Sequence, residues 1–317
     1  MIPENALPKI KSVMKKILIA DDIDSAGLKQ LSRKKFYIKR AIGISNDEIR
    51  KKYGSYDVLV IRSIRKIDKE FLNSVSFKII ATGSKGTDHI DIKYAKTKSI
   101  QILNADDSNN ISAAEHTLAL ILNIYKNIML SDKLVRSGKF GYYNYKRSEL
   151  SGKSIGIVGF GKVGSYVGKL CKAFGMEIYA NDIDKKVRLQ NPEFIFIGLK
   201  SLLRKCDIIT IHIPLNRRNE NFFSEEKLEI VKPRSVIINT SRGNVIDEDY
   251  LYELLKKKKI YFAGLDVMRN EPDADRRFFE LDNVLLTNHI AGKTEESRKR
   301  VSENLFRSIK NYFSKAN

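Results

Sequence analysis

The sequence predicts an α/β protein with parallel sheets and more than one domain. Short apolar runs alternate with helical patterns along almost all of its 317 residues, as in sheets that are covered by helices. A glycine-rich turn at 159–164 opens a second βαβ system in the middle of the chain. The length also allows two domains with large buried cores.

The composition is that of a globular protein in a reducing compartment. Apolar residues make up 42% and charged residues 30% of the chain, which excludes the disordered and fibrous classes. Cys171 and Cys206 have no CxxC spacing and predict no disulfide framework. No stretch approaches the roughly 18 apolar residues of a membrane span, and residues 1–16 show no secretory signal pattern. We therefore expect a cytoplasmic protein without a membrane partner.

The net charge of +20 is the most unusual feature of the composition. A basic surface attracts nucleic acid, acidic lipid and anionic metabolites alike. The lysines are scattered, however, and the densest run, 256–259, is expected to end an amphipathic helix, where cations suit the helix dipole. Zinc-finger spacings and RNP-type aromatic motifs are missing from the sequence. The pattern argues against nucleic acid as a partner, and it predicts no metal site.

Four apolar runs in the first third of the chain predict parallel strands. These runs are 16–20, 57–61, 78–81 and 100–103. Residues 1–13 precede the first strand and are expected to form a disordered extension. Ser112-Ala-Ala-Glu115 matches the Ser/Thr-x-x-Glu capping box, which predicts a long apolar helix from there to about Leu130. A tyrosine-rich loop, 138–145, should follow this helix.

The middle of the chain carries the strongest motif, Gly159-Phe-Gly161-Lys-Val-Gly164, a GxGxxG. Residues 154–158 predict a buried strand before it, and 163–174 predict a helix after it, which Gly175 ends. In this setting the glycines allow a tight turn, close approach of a pyrophosphate and close packing of helix on strand. The amino end of the helix attracts the phosphate charge. The motif therefore predicts a Rossmann-like dinucleotide site.

An acidic residue about 20 positions past the glycines completes such a site. The strand predicted at 176–180 ends just before Asp182, whose carboxylate would accept hydrogen bonds from the ribose hydroxyls. A carboxylate repels a 2′-phosphate, so the sequence favours NAD over NADP. Asp184 is a rival for this contact, although it lies farther past the end of the strand.

A bound nicotinamide implies hydride transfer, which needs an acid/base at the substrate oxygen and a cation that binds the substrate. Of the four histidines, His212 and His289 follow apolar strands, and strand ends are where open α/β sheets place ligands. His116 is expected to pack against the neighbouring domain. Residues 235–243 form an apolar strand that runs into Ser-Arg-Gly, and Asp266 and the pair Glu271-Pro272 follow another short strand.

The order of GFGKVG, HIPL, NTSRGNVIDE, AGLDVMRNEP and NVLLTNHIAG resembles the D-isomer-specific 2-hydroxyacid dehydrogenase family, over nearly the whole chain. The resemblance implies a catalytic trio of Arg242, Glu271 and His289. Arg242 would clamp the carboxylate or carbonyl of a 2-oxo acid. His289 would exchange a proton with the substrate oxygen, and Glu271 would hold the other ring nitrogen.

The same resemblance implies the cofactor contacts. Lys162 and Val163 would meet the pyrophosphate through their backbone amides, and Thr240 and Ser241 would line the nicotinamide side. Asp266 would bind the carboxamide, or alternatively would only cap the end of its strand. The further cofactor-binding residues that the resemblance implies are Gly159, Gly161, Gly164, Asp182, His212, Pro214 and Gly292.

The substrate-binding residues implied by the resemblance come partly from the first third of the chain. Arg62 and Ser63 match the family's RS segment, and Lys85 and Gly86 match its GVGxDNID segment; Arg242 and His289 complete the set. Lys85 replaces a generally uncharged residue, so it would suit a second anionic group such as a phosphate or carboxylate, or it would point to solvent. Three further departures from the family pattern are Asp106-Asp107, Asn216 and Asn288.

The predicted architecture is two Rossmann-like, doubly wound parallel-sheet domains. A dinucleotide domain, 105–288, is inserted in a discontinuous substrate domain, 1–104 and 289–317. The resemblance implies NAD as cofactor, a small D-2-hydroxy acid or 2-oxo acid of the phosphoglycerate or hydroxypyruvate type as substrate, and a homodimer built on the helix from Ser112. The alternative is an NAD-sensing binding protein similar to the family's transcriptional corepressors, with little turnover.

Overall fold

The computed structural model describes residues 14–105, 108–141 and 146–315, so the predictions for 1–13, for Asp106-Asp107 and for 142–145 lie outside the described residues. The chain divides into two compact units, each with its own sheet. One consists of Met1–Ser108 with Glu295–Asn317, and the other of Asn109–Thr294. The second unit is thus inserted in the sequence of the first.

The first unit is a parallel five-stranded sheet in the order β2-β1-β3-β4-β5. Its strands are β1 Lys15–Ile19, β2 Phe36–Arg40, β3 Val58–Ile61, β4 Ile79–Thr82 and β5 Gln101–Asn104, and its first helices are α1 Asn46–Tyr53, α2 Lys69–Asn73 and α3 Ile92–Thr97. The four predicted strands are confirmed to within one residue. The edge strand β2 was not predicted, because only its first residue is buried and it lacks an apolar run.

The second unit is a parallel seven-stranded sheet in the order β12-β11-β10-β9-β6-β7-β8. Its strands are β6 Ser154–Val158, β7 Glu177–Asn181, β8 Ile195–Phe196, β9 Ile208–Ile211, β10 Val236–Asn239, β11 Phe262–Leu265 and β12 Val284–Leu286. Its helices are α4 Asn110–Lys126, α5 Ile128–Arg136, α6 Lys162–Ala173, α7 Lys185–Gln190, α8 Leu199–Lys205, α9 Glu225–Glu229 and α10 Glu248–Lys256. Helix α11, Glu295–Lys315, returns the chain to the first unit and packs on β4 and β5.

The borders of the units differ from the predicted ones, and polar contacts give the reason. A Cβ atom on Gly292 would lie 2.5 Å from Nδ2 of Asn109, so these two segments pack tightly together. The hydroxyl of Ser112 lies 2.9 Å from that of Thr294. The segment that follows β12 is therefore part of the second unit, and His289 lies in that unit rather than at the start of the returning segment of the first.

The predicted capping box is wrong. Helix α4 begins at Asn110, so Ser112 lies within its first turn, and its hydroxyl is engaged by Thr294. The helix also ends at Lys126 instead of Leu130, because Asn127 takes a left-handed conformation with φ of 54°. A separate helix, α5, follows this residue.

The described residues contain neither a membrane-spanning helix nor a cluster of metal ligands. Across 14–105, 108–141 and 146–315, no helix combines the length and apolar character that a membrane crossing requires. In the same ranges, no three His, Cys, Asp or Glu side chains lie together as a set of metal ligands.

Candidate active site

The glycine-rich turn joins β6 to α6, and its three glycines are required for different reasons. Gly159 has a left-handed φ of 89°, and a Cβ on this residue would lie only 2.8 Å from the backbone carbonyl of His212. A Cβ on Gly164 would lie 2.1 Å from the carbonyl oxygen of Gly159, so α6 packs directly on the turn. At Gly161, by contrast, no heavy atom of the described residues lies within 4 Å of that position. Space is therefore left at the amino end of α6, as the approach of a phosphate requires.

Asp182, at the end of β7, is tied to this turn. Its Oδ2 accepts a hydrogen bond of 2.7 Å from the amide of Phe160, and its Oδ1 accepts one of 2.9 Å from the amide of Asp184. Asp184 itself caps α7 through the amide of Lys186, at 2.9 Å. Of the two rival carboxylates, Asp182 is thus the one that lies beside the glycines, and Asp184 has a helix-capping role.

The residues after β9 form the next side of this region. Burial lowers the pKa of His212 to about 3, so its ring is neutral at physiological pH, and its Nε2 lies 3.0 Å from the hydroxyl of Thr210. The carbonyl of Pro214 accepts a hydrogen bond of 2.9 Å from the side chain of Asn219. The Oδ1 of Asn216, a departure from the family pattern, accepts hydrogen bonds from the amides of Arg218 and Asn219 and so shapes this loop.

The loop that carries Arg242 is shaped by Asn239, the last residue of β10. The buried Asn239 side chain accepts hydrogen bonds from the amide and hydroxyl of Ser241, at 3.0 and 2.8 Å, and donates one of 2.9 Å to the carbonyl of Arg242. The hydroxyl of Thr240 lies 2.9 Å from that of Thr117 on α4. Sequence reasoning missed Asn239, although an asparagine at the end of a buried strand is itself a signal of such a turn.

His289 and Glu271 form the pair that the sequence predicted. His289 Nδ1 lies 2.7 Å from Glu271 Oε2, and Oε1 of the same carboxylate accepts a hydrogen bond of 2.8 Å from the amide of Met268. Burial alone would raise the pKa of Glu271, but the hydrogen bonds from His289 and Met268 outweigh it and hold the pKa below its usual value. A carboxylate can only accept, so Nδ1 carries a proton and Nε2 is left for a substrate. The two side chains are 39% and 35% exposed, which leaves the ring accessible.

Asp266, which follows β11, holds the segment on which His289 lies. Its carboxylate accepts hydrogen bonds from the hydroxyl of Thr287 at 2.6 Å and from the amides of Ile290 and Ala291 at 2.9 Å each. Its carbonyl accepts one of 2.8 Å from the amide of His289. The side chain is only 1% exposed. These bonds give Asp266 a positioning role within the fold, while its contact with a nicotinamide stays a prediction.

The comparison with known proteins identifies this arrangement. Residues 118–291 match the model of the D-isomer specific 2-hydroxyacid dehydrogenase NAD binding domain. The chain belongs to this dehydrogenase family. Its second unit contains the family's NAD-binding domain, and the space at Gly161, the amino end of α6 and the position of Asp182 all fit that cofactor.

The relatives include enzymes with different substrates. The chain is 34% identical to D-3-phosphoglycerate dehydrogenase of Methanocaldococcus jannaschii, over 94% of this chain and 57% of that protein. It is 34% identical to hydroxypyruvate reductase of Thermotoga maritima, over 93% of this chain and 97% of that protein. D-lactate dehydrogenase of Aquifex aeolicus, solved with NAD and lactic acid, has a TM-score of 0.81 at 27% identity and covers 94% of this chain and 95% of its own. The chain thus spans little more than half of the phosphoglycerate dehydrogenase.

His116, on α4, lies next to the segment that carries His289. Its Nε2 lies 3.1 Å from the hydroxyl of Thr287 and 3.4 Å from the carboxylate of Asp266. Burial would raise the pKa of Asp266, but hydrogen bonds from His116, from Thr287 and from the two amides hold it below its usual value. His116 therefore contacts the segment that carries His289 within its own unit, and its packing against the neighbouring domain stays a prediction.

In the first unit, two loops carry the residues that the family resemblance assigns to substrate. The loop after β3 is held by the buried Asp21, whose carboxylate accepts hydrogen bonds from the amide of Arg62 at 2.8 Å and from the guanidinium of Arg65 at 2.7 Å. The side chain of Ser63 is exposed next to it. Arg62 thus directly follows β3. The roles of Asp21 and Arg65 were missed, because Asp21 acts on this loop from the end of β1, 41 positions away.

The loop after β4 is held by one of its own hydroxyls and by the side chain of Asn104, the last residue of β5. The hydroxyl of Ser84 donates to the carbonyl of Gly86 at 2.8 Å, and the side chain of Asn104 donates to the carbonyl of Lys85 at 2.9 Å. Ser84, which replaces the usual glycine of the family segment, therefore closes the loop on itself. The Lys85 side chain is exposed.

Proposed function

We propose that the protein is an NAD-dependent dehydrogenase that interconverts a small D-2-hydroxy acid and the corresponding 2-oxo acid. The observation that carries the proposal is the hydrogen-bonded pair of His289 and Glu271 in the same unit as the glycine turn and the Arg242 loop. Family membership and the near full-length match to a hydroxypyruvate reductase support it. The relatives reported above are all enzymes by name, and nothing in the comparisons favours a corepressor.

The chain's own residues supply binding and proton transfer. The glycine turn and Asp182 would hold NADH, which would supply the hydride for reduction of the 2-oxo acid. Arg242 binds the carboxylate by charge-assisted hydrogen bonds, and Nε2 of His289 gives its proton to the carbonyl oxygen. Glu271, which is ionised because its pKa is low, stabilises the charge on the imidazolium before the transfer. In the oxidative direction, the neutral His289 takes the hydroxyl proton back.

The cofactor in this proposal is NAD rather than NADP. The Asp182 carboxylate lies beside the glycine turn and keeps lone pairs that can accept bonds from ribose hydroxyls, since two backbone amides occupy only part of its capacity. A 2′-phosphate at this place would meet the same negative charge. Lys162, Val163, Thr240, Ser241 and Asp266 retain the cofactor roles that the family resemblance gives them.

The first unit is proposed to supply the remaining substrate contacts, through Arg62, Ser63, Lys85 and Gly86. The exposed Lys85 adds a positive charge at a position that is generally uncharged in the family, and this favours a substrate with a second anionic group. Phosphohydroxypyruvate has such a group, whereas hydroxypyruvate does not.

Two properties of the whole protein are also proposed. Helix α5 and the residues after it expose a row of large apolar side chains, which supports a homodimer built on α4 and α5. These side chains are Ile128, Met129, Val135 and Phe140. Both cysteines are buried thiols, which supports a cytoplasmic location.

The function is tested by oxidation of NADH in the presence of pyruvate, glyoxylate, hydroxypyruvate, phosphohydroxypyruvate or 2-oxoglutarate. We expect one of these acids to be turned over with a kcat on the order of 1–10³ s⁻¹, and NADPH to be used less well than NADH. Lys85→Ala is then measured on every acid that the wild type reduces, and a rise in KM confined to the doubly anionic acids would assign the lysine to the second charge. Negligible turnover with all five acids, together with tight NAD binding, would contradict the proposal.

A further inference from the structure

Glu248, the first residue of α10, is a buried carboxyl group that the proposed reaction leaves unexplained. It is only 2% exposed. The helix does not need it, because the side chain of Asp247 already caps the helix through the amide of Tyr250, and the exposed Asp249 supplies a negative charge in the first turn. Burial of a carboxyl group costs free energy unless it makes a specific bond. Its function must therefore lie in what it contacts.

Glu248 contacts the peptide bond between Met268 and Arg269. Its Oε1 accepts a hydrogen bond of 2.5 Å from the amide of Arg269. Its Oε2 is buried and has no hydrogen-bond partner within the described part of the chain. Burial raises the pKa of Glu248, although the hydrogen bond from the Arg269 amide and the charge of the Arg269 guanidinium oppose this. The side chain is committed to this one peptide bond.

Met268, whose carbonyl forms one side of this peptide bond, lies between Glu271 and the loop of Arg242. Its amide, which belongs to the preceding peptide bond, donates to Glu271, the carboxylate that holds His289. On its other side the Met268–Arg269 peptide lies against Gly243, the residue after Arg242. A Cβ there would lie 2.1 Å from the carbonyl carbon of Met268 and 2.3 Å from the nitrogen of Arg269.

We propose that Glu248 is a positioning residue, which holds the Met268–Arg269 peptide against Gly243 and thereby fixes Glu271 and His289 relative to Arg242. The inference rests on the proposed function, because it assigns a role in that reaction. Displacements of about 1 Å at such groups cost on the order of 100-fold in rate. This close packing of the Met268–Arg269 peptide also requires that residue 243 has no side chain, as in glycine.

The test compares three variants on the 2-oxo acid that the wild type reduces fastest. Glu248→Ala removes the acceptor, and we expect kcat to fall by about 10–100-fold, with KM for NADH within about twofold of the wild type because the glycine turn is untouched. Glu248→Gln keeps an oxygen for the Arg269 amide and should stay within about threefold in kcat. Glu253→Ala removes a carboxylate of the same helix that pairs with the exposed Lys257, and it should leave both constants unchanged.

A crystal structure of Glu248→Ala without cofactor provides a readout that does not depend on activity. We expect Glu271 to lose its present distance of 2.7 Å from His289. If Glu248→Ala does not fold, Glu248→Asp replaces it in both measurements, because the shorter side chain cannot reach the Arg269 amide. Unchanged kcat, an unchanged distance, or a Glu248→Gln variant as slow as Glu248→Ala would each overturn the inference. A wild type that reduces none of the five acids would instead contradict the proposed function, and the crystal structure would still decide the role of Glu248.

Discussion

His289 combines a reactive side chain with a backbone conformation that L-residues rarely adopt. Its φ of 54° is left-handed, which costs about 1–2 kcal/mol. The hydrogen bond from its amide to Asp266, and the bonds of that carboxylate to the residues on either side, hold the conformation. The position of the ring is thus set by the fold before any ligand binds, as preorganised catalysis requires.

The proton-transfer role of His289 predicts a loss of rate without a loss of cofactor binding. In His289→Gln the side chain cannot donate a proton to the substrate, so kcat should fall by about 10²–10⁴-fold. The Kd for NADH, measured by fluorescence, should stay within about threefold, since the glycine turn is unaltered. The matched control is Asn288→Ala, a change at the exposed preceding residue, which should keep its activity. A His289→Gln variant with the kcat of the wild type would refute the assignment.

The contribution of Asp266 to the free energy of unfolding should depend on pH. Its pKa is depressed in the folded protein, so its contribution is complete above the unfolded pKa of about 3.9 and is lost as pH falls through the folded value. At pH 7, Asp266→Asn should therefore lower the free energy of unfolding by about 2–4 kcal/mol, because one amide of the His289 segment would face an NH₂ group.

The measurement for Asp266 is urea unfolding of both proteins from pH 7 down to pH 3. The difference between wild type and Asp266→Asn should shrink at the acidic end, as the wild-type carboxylate takes up its proton. A difference that stays constant with pH would show that the ionised state of Asp266 contributes nothing. Asp184→Asn is the control, since this exposed helix cap makes no contact with the His289 segment.

At the scale of elements, two glycines of the glycine turn have different roles: Gly164 is needed for packing, and Gly161 leaves space for the cofactor. Gly164 is required by the fold, because a Cβ there would collide with the backbone of Gly159. Gly161 is not, since its surroundings are open and its φ of −69° suits any residue. We expect Gly161→Ala to unfold at the wild-type temperature but to bind NADH at least about tenfold more weakly, because the methyl group would meet the pyrophosphate. Gly164→Ala should be destabilised by more than about 2 kcal/mol.

Calorimetry and NADH titration of the two glycine variants decide between these roles. The assignment of a folding role to Gly164 and a cofactor-binding role to Gly161 would be contradicted by either of two results. These are an equal loss of stability in both variants, or a Gly161→Ala variant that binds NADH as tightly as the wild type. The comparison is matched, because both changes add one methyl group to the same turn.

The elements that depend on local patterns could be predicted from the sequence. The features that depend on contacts between distant segments could not. The strand, turn and helix of 154–174 could be predicted because apolar spacing and glycine chemistry are local. The start of α4 could not, because Thr294 engages the hydroxyl of Ser112 from 182 positions away. The contact between His289 and Glu271 followed from motifs, whereas His116 reaches Thr287 across 171 positions and no local signal marks that contact.

At the scale of the whole molecule, each unit has its own sheet and its own core, and both cysteines lie in the core of the second unit. Cys171 and Cys206 are buried, and burial raises the pKa of each thiol to about 12. The thiolate is the form that reacts with alkylating agents. Modification therefore requires opening of the second unit around the cysteines, and its rate reports how readily this opening occurs.

This arrangement predicts that NADH protects both cysteines. A ligand that binds only the folded unit stabilises it by RT ln(1 + [L]/Kd), about 2.7 kcal/mol at 100 times the Kd. When opening and closing are fast relative to alkylation, the rate follows the population of the open form. Iodoacetamide should then label both thiols about 100-fold more slowly at that NADH concentration, as followed by mass spectrometry. Gly161→Ala, which should bind NADH at least about tenfold more weakly, should keep at most about tenfold protection at the same NADH concentration, while labelling without cofactor stays at the wild-type rate. Equal labelling of the wild type with and without NADH would mean that the cofactor does not bind the second unit.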